Sequence, residues 1–217
     1  MRLLLVDHGC CDGALSRGFR CRDALAREGI EALLCGPATV SPLEAATPGL
    51  HGIPLKAVAA GNRAFAAAVR DGDPDAFLRT SAGLPAALLG LVRETARQAM
   101  AEAVDGFDPA AILVLHAGIF ADLAVETGLP VVILASTADL AAARRDRRVC
   151  ELVAAALASA EAVVPADDEA AAALAADWLD DPDPAAASSG PLAGPVDGDG
   201  AASLAAAVRL ACRRRGG

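Results

Sequence analysis

Short apolar blocks recur along the chain. Each is followed by a longer stretch whose apolar residues return every three or four positions. The blocks at 2–7, 30–35, 53–58, 111–116, 130–135 and 161–165 read as strands. They are nearly continuous in apolar residues rather than alternating, as a sheet covered on both faces requires. The stretches at 14–28, 61–71, 74–79, 85–104, 119–127, 140–158 and 167–179 carry the helical period and read as helices. Punctuation agrees with these assignments. Gly29 suits a helix stop, Gly36-Pro37 ends a strand, Pro85 fits a first helical turn, and Asp167 or Asp168 suits an N-cap. The block at 53–58 is the weakest of the six.

Residues 180–200 break the pattern. They are rich in Pro, Ala, Gly, Ser and Asp and read as a loop or linker. A final amphipathic helix is predicted over 201–214, with Leu204, Val208 and Cys212 at helical spacing and Arg213, Arg214 and Arg215 at its end, within a C-terminal segment of 201–217. Strands alternating with helices predict a mostly parallel sheet with helices on both faces, a single Rossmann-like α/β domain over 1–179. In such folds the loops that follow the strands share one edge, and ligands bind there. The segments to search are therefore 7–16, 36–39, 116–119, 136–139 and 166–168.

Composition narrows the function classes. Hydrophobic residues make up 54% of the 217, much of it alanine, which favours closely packed helices. Aromatic residues are only 3% and the net charge is −9, so neither base stacking nor phosphate neutralisation is provided for, and nucleic acid is not an expected partner. The six cysteines form no Cys-x-x-Cys and no zinc-finger spacing, so no metal is expected. The N-terminal apolar run is short and broken by Asp7, and the longest uncharged run, 80–92, falls short of the roughly 20 residues of a membrane span. The expected compartment is the cytoplasm, with reduced thiols and at most peripheral membrane contact.

The first loop carries Gly9, Gly13, Ser16 and Gly18 before a predicted helix, a setting in which backbone N–H groups can face an anion. It matches neither the dinucleotide fingerprint nor a Walker loop, so no cofactor is expected, and an ordinary βα turn is an equal reading. Cys10 and Cys11 have no base beside them in the sequence. His116 ends a strand at the expected ligand edge, where it could polarise a hydroxyl or stabilise developing charge, or be a satisfied structural histidine. Ser136, Thr137 and Asp139 follow the next strand and suit either sugar hydroxyls or a helix cap. Arg144 and Arg145 open a run with Arg147 and Arg148 that suits a phosphorylated acceptor or a solvated helix face.

Four stretches in order resemble the N-terminal domain of family-4-type GT-B glycosyltransferases. They are 24–34 (ALAREGIEALL), 107–116 (FDPAAILVLH), 128–133 (GLPVVI) and 158–164 (ASAEAVV), and the resemblance spans residue 1 to about 179. It implies a domain that holds a small-molecule or glycan acceptor, with His116 at the catalytic cleft. It also implies Gly13 near the donor phosphates and Asp139 at a recurrent polar position. Ile30 stands where that family often has His, and Ser136 where it usually has His-Gly. The donor-binding second domain would need about 180 further residues. The resemblance therefore implies an acceptor half that transfers sugar from a nucleotide-sugar together with a donor-binding partner subunit or another copy. The final helix is similar to the tail that crosses back onto the first domain in complete enzymes. A non-catalytic relic or scaffold of a transferase, and a generic Rossmann-like ligand-binding module, remain the alternatives. On this reading His116→Ala abolishes transfer and leaves the fold intact.

Overall fold

The computed structural model describes residues 1–9, 17–38, 49–178 and 200–216. Six strands form one sheet: β1 (Arg2–Val6), β2 (Glu31–Ala38), β3 (Leu50–Pro54), β4 (Ala111–Val114), β5 (Val131–Ala135) and β6 (Ala162–Pro165). Every pair is parallel and the order is β3-β2-β1-β4-β5-β6. The chain winds outward from β1 to β3, then returns across the sheet to β4 and winds the other way. That reversal opens a crevice between the carboxyl ends of β1 and β4. The architecture is the Rossmann-like α/β domain that the apolar pattern predicts.

Among the described residues ten helices accompany the sheet: α1 (Arg17–Arg27), α2 (Lys56–Gly61), α3 (Arg63–Asp71), α4 (Pro74–Ala82), α5 (Ala86–Phe107), α6 (Ala121–Glu126), α7 (Thr137–Ala143), α8 (Arg147–Ser159), α9 (Asp168–Asp177) and α10 (Gly200–Gly216). The sheet residues divide between two cores by strict alternation. Leu4, Val6, Ile112, Val114 and Ile133 pack against α3, α4, α5, α6 and α8 through Phe65, Phe77, Val92, Met100, Leu123 and Val153. Leu3, Leu5, Leu113, Leu134 and Val164 face the other way, onto Phe19 and Leu25 of α1 and Leu204 and Val208 of α10. α10 is thus a structural part of the sheet's second face. Arg215 on its last turn pairs with Glu161 at 2.9 Å, and Glu161 also accepts the Val131 N–H at 2.6 Å.

Two elements depart from the sequence expectation. The third strand begins three residues before the predicted block, at Leu50, and residues 56–61 are helical. β3 is one of the two edge strands and only Ile53 in it is fully buried, so its apolar signal is faint. The helix predicted over 140–158 is two helices. Asp146 accepts the N–H groups of Arg148 and Val149 and caps α8, and this local bond ends the preceding helix. Residues 14–16 of the first predicted helix, and the linker 180–200 except Gly200, lie outside the described residues.

Candidate functional site

Three short βα junctions converge on the crevice. Asp7 follows β1 directly and is fully buried. Its Oδ1 accepts the Gly9 N–H at 3.0 Å. His116 follows β4 and Asp139 lies in the first turn of α7, after β5. The His116 ring bridges the two carboxylates, with Nδ1 3.1 Å from Asp139 Oδ1 and Nε2 3.4 Å from Asp7 Oδ1. Asp139 is held by a reciprocal cap: its Oδ2 accepts the Ser136 N–H at 3.1 Å, and Ser136 Oγ accepts the Asp139 N–H at 3.2 Å. The cap that served as the plain structural reading of Ser136 therefore also fixes a site carboxylate.

Electrostatics follow from this geometry. Burial by itself would lower the His116 pKa. The charge and hydrogen bond of Asp139, joined by those of Asp7, outweigh burial and push it up to about 9. Burial would raise both carboxyls, yet Asp7 is held low chiefly by His116 and the Gly9 N–H. Asp139 is held low by His116 and by Ser136. At neutral pH the centre is an imidazolium between two carboxylates. Such a histidine does not act as a base there. It stabilises negative charge and fixes the carboxylates on either side.

His8 is the second buried histidine and it behaves in the opposite way. Its ring stacks on Phe120 at 4.7 Å and 8°, with Phe77 at 5.6 Å and the edge of His116 at 5.9 Å. Burial and the neighbouring His116 charge drive its pKa down to about 3, so it is neutral. Neither of its ring nitrogens has a hydrogen-bond partner. An unsatisfied buried polar group costs about 1–3 kcal/mol, part of which the aromatic stacking offsets. His8→Leu is therefore expected to raise the unfolding free energy by about 1 kcal/mol, measured by denaturant titration. An unchanged or lower value would mean that His8 has a partner in solution.

The cleft above this centre has a volume of about 520 Å³. Its floor is Asp7, His116 and Asp139, and Arg17 of α1 flanks it. The opposite wall is the α3–α4 turn, which supplies Asp71, Asp73 and Asp75. This wall sits close because Gly9 has no side chain: a Cβ there would meet the Gly72 carbonyl oxygen at 2.5 Å. Among the described residues no three His, Cys, Asp or Glu side chains gather to hold a metal ion.

No family model matches the chain. No curated protein matches it either.

Of the residues singled out from sequence, His116, Ser136 and Asp139 line this cleft together. Gly13, Ser16, Cys10 and Cys11 lie outside the described residues. Thr137 donates to Asp167 at 3.1 Å, which is the N-cap of α9. Arg144 pairs with Asp177 at 2.6 Å and covers the Trp178 ring, and the exposed Arg145 follows it at the far end of α7. Arg147 pairs with Glu151, and Arg148 with Asp146 and the carbonyls of Ala82 and Leu84. The arginine run thus ties α7 and α8 to their neighbours and does not line the cleft. Sequence reasoning put Asp7 and His8 within a segment to search but gave neither a role, and it missed the Asp71–Asp75 wall. For Asp7 a signal existed, since it ends the first strand at the switch point. For the wall none did, because the turn reaches the cleft only through tertiary packing.

Proposed function

We propose that this chain is the acceptor-binding half of a GT-B type glycosyl transfer, acting in the cytoplasm with a separate donor-binding chain. The supporting observation is the buried Asp7–His116–Asp139 centre at the switch-point crevice. Asp7 Oδ2 is buried against Gly18 without a hydrogen-bond partner, and the cleft over the centre is lined by Ser136 and Arg17, polar groups that suit sugar or polyol hydroxyls. In transfer, one such hydroxyl oxygen attacks the anomeric carbon, the nucleoside diphosphate leaves, and the hydroxyl proton passes to a floor carboxylate. The role assigned to His116 is to steady the charge of that carboxylate and of the developing transition state. The donor diphosphate requires cationic groups, and among the described lining residues five aspartates stand against Arg17 and His116. That imbalance favours a donor site on another chain. No described helix is long and apolar enough to cross a membrane. The thiols of Cys35, Cys150 and Cys212, free among the described residues, suit a reducing compartment.

Thermal unfolding of the purified chain with ligand panels tests this reading. A monosaccharide or inositol held at about ten times its Kd is expected to raise the melting temperature by roughly 3–5 °C. Nucleotide-sugars and free nucleotides are expected to leave it unchanged. A shift with nucleotide-sugars alone overturns the acceptor assignment and makes this a donor-binding domain.

A further inference from the structure

His8 packs as an apolar residue would, yet it carries two polar atoms. It is 1% exposed, neither ring nitrogen has a hydrogen-bond partner, and its ring contacts Phe120 after β4 and Phe77 of α4. A Cβ on Gly118 would meet His8 Nε2 and Leu78 of α4, each at 2.8 Å, so all three close on one another. A leucine or phenylalanine would fill this space without stranding polar atoms, so packing does not account for the imidazole.

The two elements that clasp His8 are held differently. The segment 116–120 is anchored by His116 on its two carboxylates and by Arg93 on the Ile119 carbonyl. The other element is the wall of the cleft. Asp71 pairs with Arg70, Asp75 with Arg79, and Asp73 accepts the Ala76 N–H, all inside the α3–α4 hairpin. Among the described residues no hydrogen bond or ion pair ties 71–79 to another element. Packing on α7, the contacts of Phe77 and Leu78, and the close approach of Gly72 to Gly9 seat it instead. A polar tie comes only at the far end of α4, where Arg148 donates to the carbonyls of Ala82 and Leu84. The wall thus has a fastened end and a loose end, and the loose end rests on His8.

We infer that the α3–α4 turn is a pH-sensitive lid on the cleft, released when the His8 ring takes a proton. Protonation places a second cation beside His116, whose ring centroid is 5.9 Å away, in a space with no acceptor for the new N–H. The charged groups that act on the ring are His116, which opposes protonation, and Asp7 and Asp139, which favour it. From α4 the ring meets Phe77, with Leu78 on the same glycine. Burial and His116 prevail, and the closed ring is neutral, with a pKa of about 3. Outward movement of α4 admits water, and the ring returns to its ordinary pKa of about 6.5. Opening therefore takes up a proton and is favoured as the pH falls below that value. His116 keeps both carboxylates in the open state, so its charge does not enter. The lid operates whatever the cleft binds.

Hydrogen exchange of the full chain, read as protection factors so that the intrinsic pH dependence cancels, tests the lid. Amides of α4 from Phe77 to Ser81 are expected to lose about thirtyfold in protection between pH 8 and pH 5, the ratio set by an open-state pKa of about 6.5. Amides of β1 and β4 exchange by global unfolding. They are expected to change less than about threefold, because His116 gains over this interval nearly what His8 loses. In His8→Leu and in His8→Gln, which do not titrate, α4 should be equally protected at both pH values. The Gln variant serves if Leu packs the lid too tightly for exchange to be read. Wild-type protection in α4 that is unchanged, or that falls in step with β1 and β4, overturns the lid. A pH response retained in either variant overturns it as well.

Discussion

His116→Ala is expected to lower the unfolding free energy by about 3–5 kcal/mol, far more than an ordinary surface histidine. The sequence alone suggests a dispensable catalytic group on an intact scaffold, and the structure changes that expectation. Among the described residues the ring is the positive charge between Asp7 and Asp139, both of them buried, and it contacts each. Removing it leaves two carboxylates without a counter-ion in a low-dielectric pocket, together with a cavity. In the variant those carboxylates disfavour ionisation, so their pKa values rise above the unfolded ones. The variant's stability should then be partly restored as the pH is lowered through the raised values. Denaturant titrations at pH 7 and pH 5 read both effects. A loss under about 1 kcal/mol at pH 7 would show that water reaches the carboxylates and that the centre is not electrostatically closed. Activity lost in this variant therefore cannot be assigned to chemistry until folding has been measured.

The second large effect is a stability maximum near pH 6.5, with opposite histidines responsible for the two limbs. His116 has a folded pKa of about 9 against 6.5 in the unfolded chain. Its contribution is complete below 6.5 and is lost as the pH rises through 9, a loss of about 3 kcal/mol. His8 has a folded pKa of about 3. Its neutral form is required for folding, so its contribution is complete above 6.5 and fades as the pH falls towards 3. Asp7 and Asp139, both held low, add to the acid limb only below the ordinary carboxyl range. The assignment is checked by variants: His8→Leu should flatten the acid limb and His116→Ala should remove the alkaline one. A profile flat from pH 6.5 to 9 in the wild type would falsify the imidazolium between two carboxylates.

Arg93 illustrates what the same physics does outside the site. It pairs with Asp122 through two nitrogens and donates to the Ile119 carbonyl at 2.8 Å, tying α5 to the segment after β4. His116 and Gly118 lie in that segment. A Cβ on Gly118 would meet His8 Nε2 at 2.8 Å, so a glycine is needed for the His8–Phe120 stack to close. These contacts hold the segment that carries His116 by ordinary packing.

The apolar blocks along the chain were enough to specify six strands, the burial of the central ones on both faces and the parallel sheet. Continuous runs such as Leu3–Val6 and Val131–Ala135 are legible because burial on both faces demands apolar side chains at every position. The edge strand β3 and the break at Asp146 were misread because one buries little and the other is decided by a single capping bond. Tertiary structure alone decided the site's character. His116 carries no sign in the sequence of whether it will be a base, a ligand or a bound cation. That depends on two carboxylates that lie 109 and 23 positions away and reach the ring only after strand order places β1 beside β4 and β4 beside β5. The acidic wall has the same origin. Asp71, Asp73 and Asp75 read as surface charge until a glycine-to-glycine contact seats their turn against Gly9, because local sequence encodes helix ends but not what those ends will face.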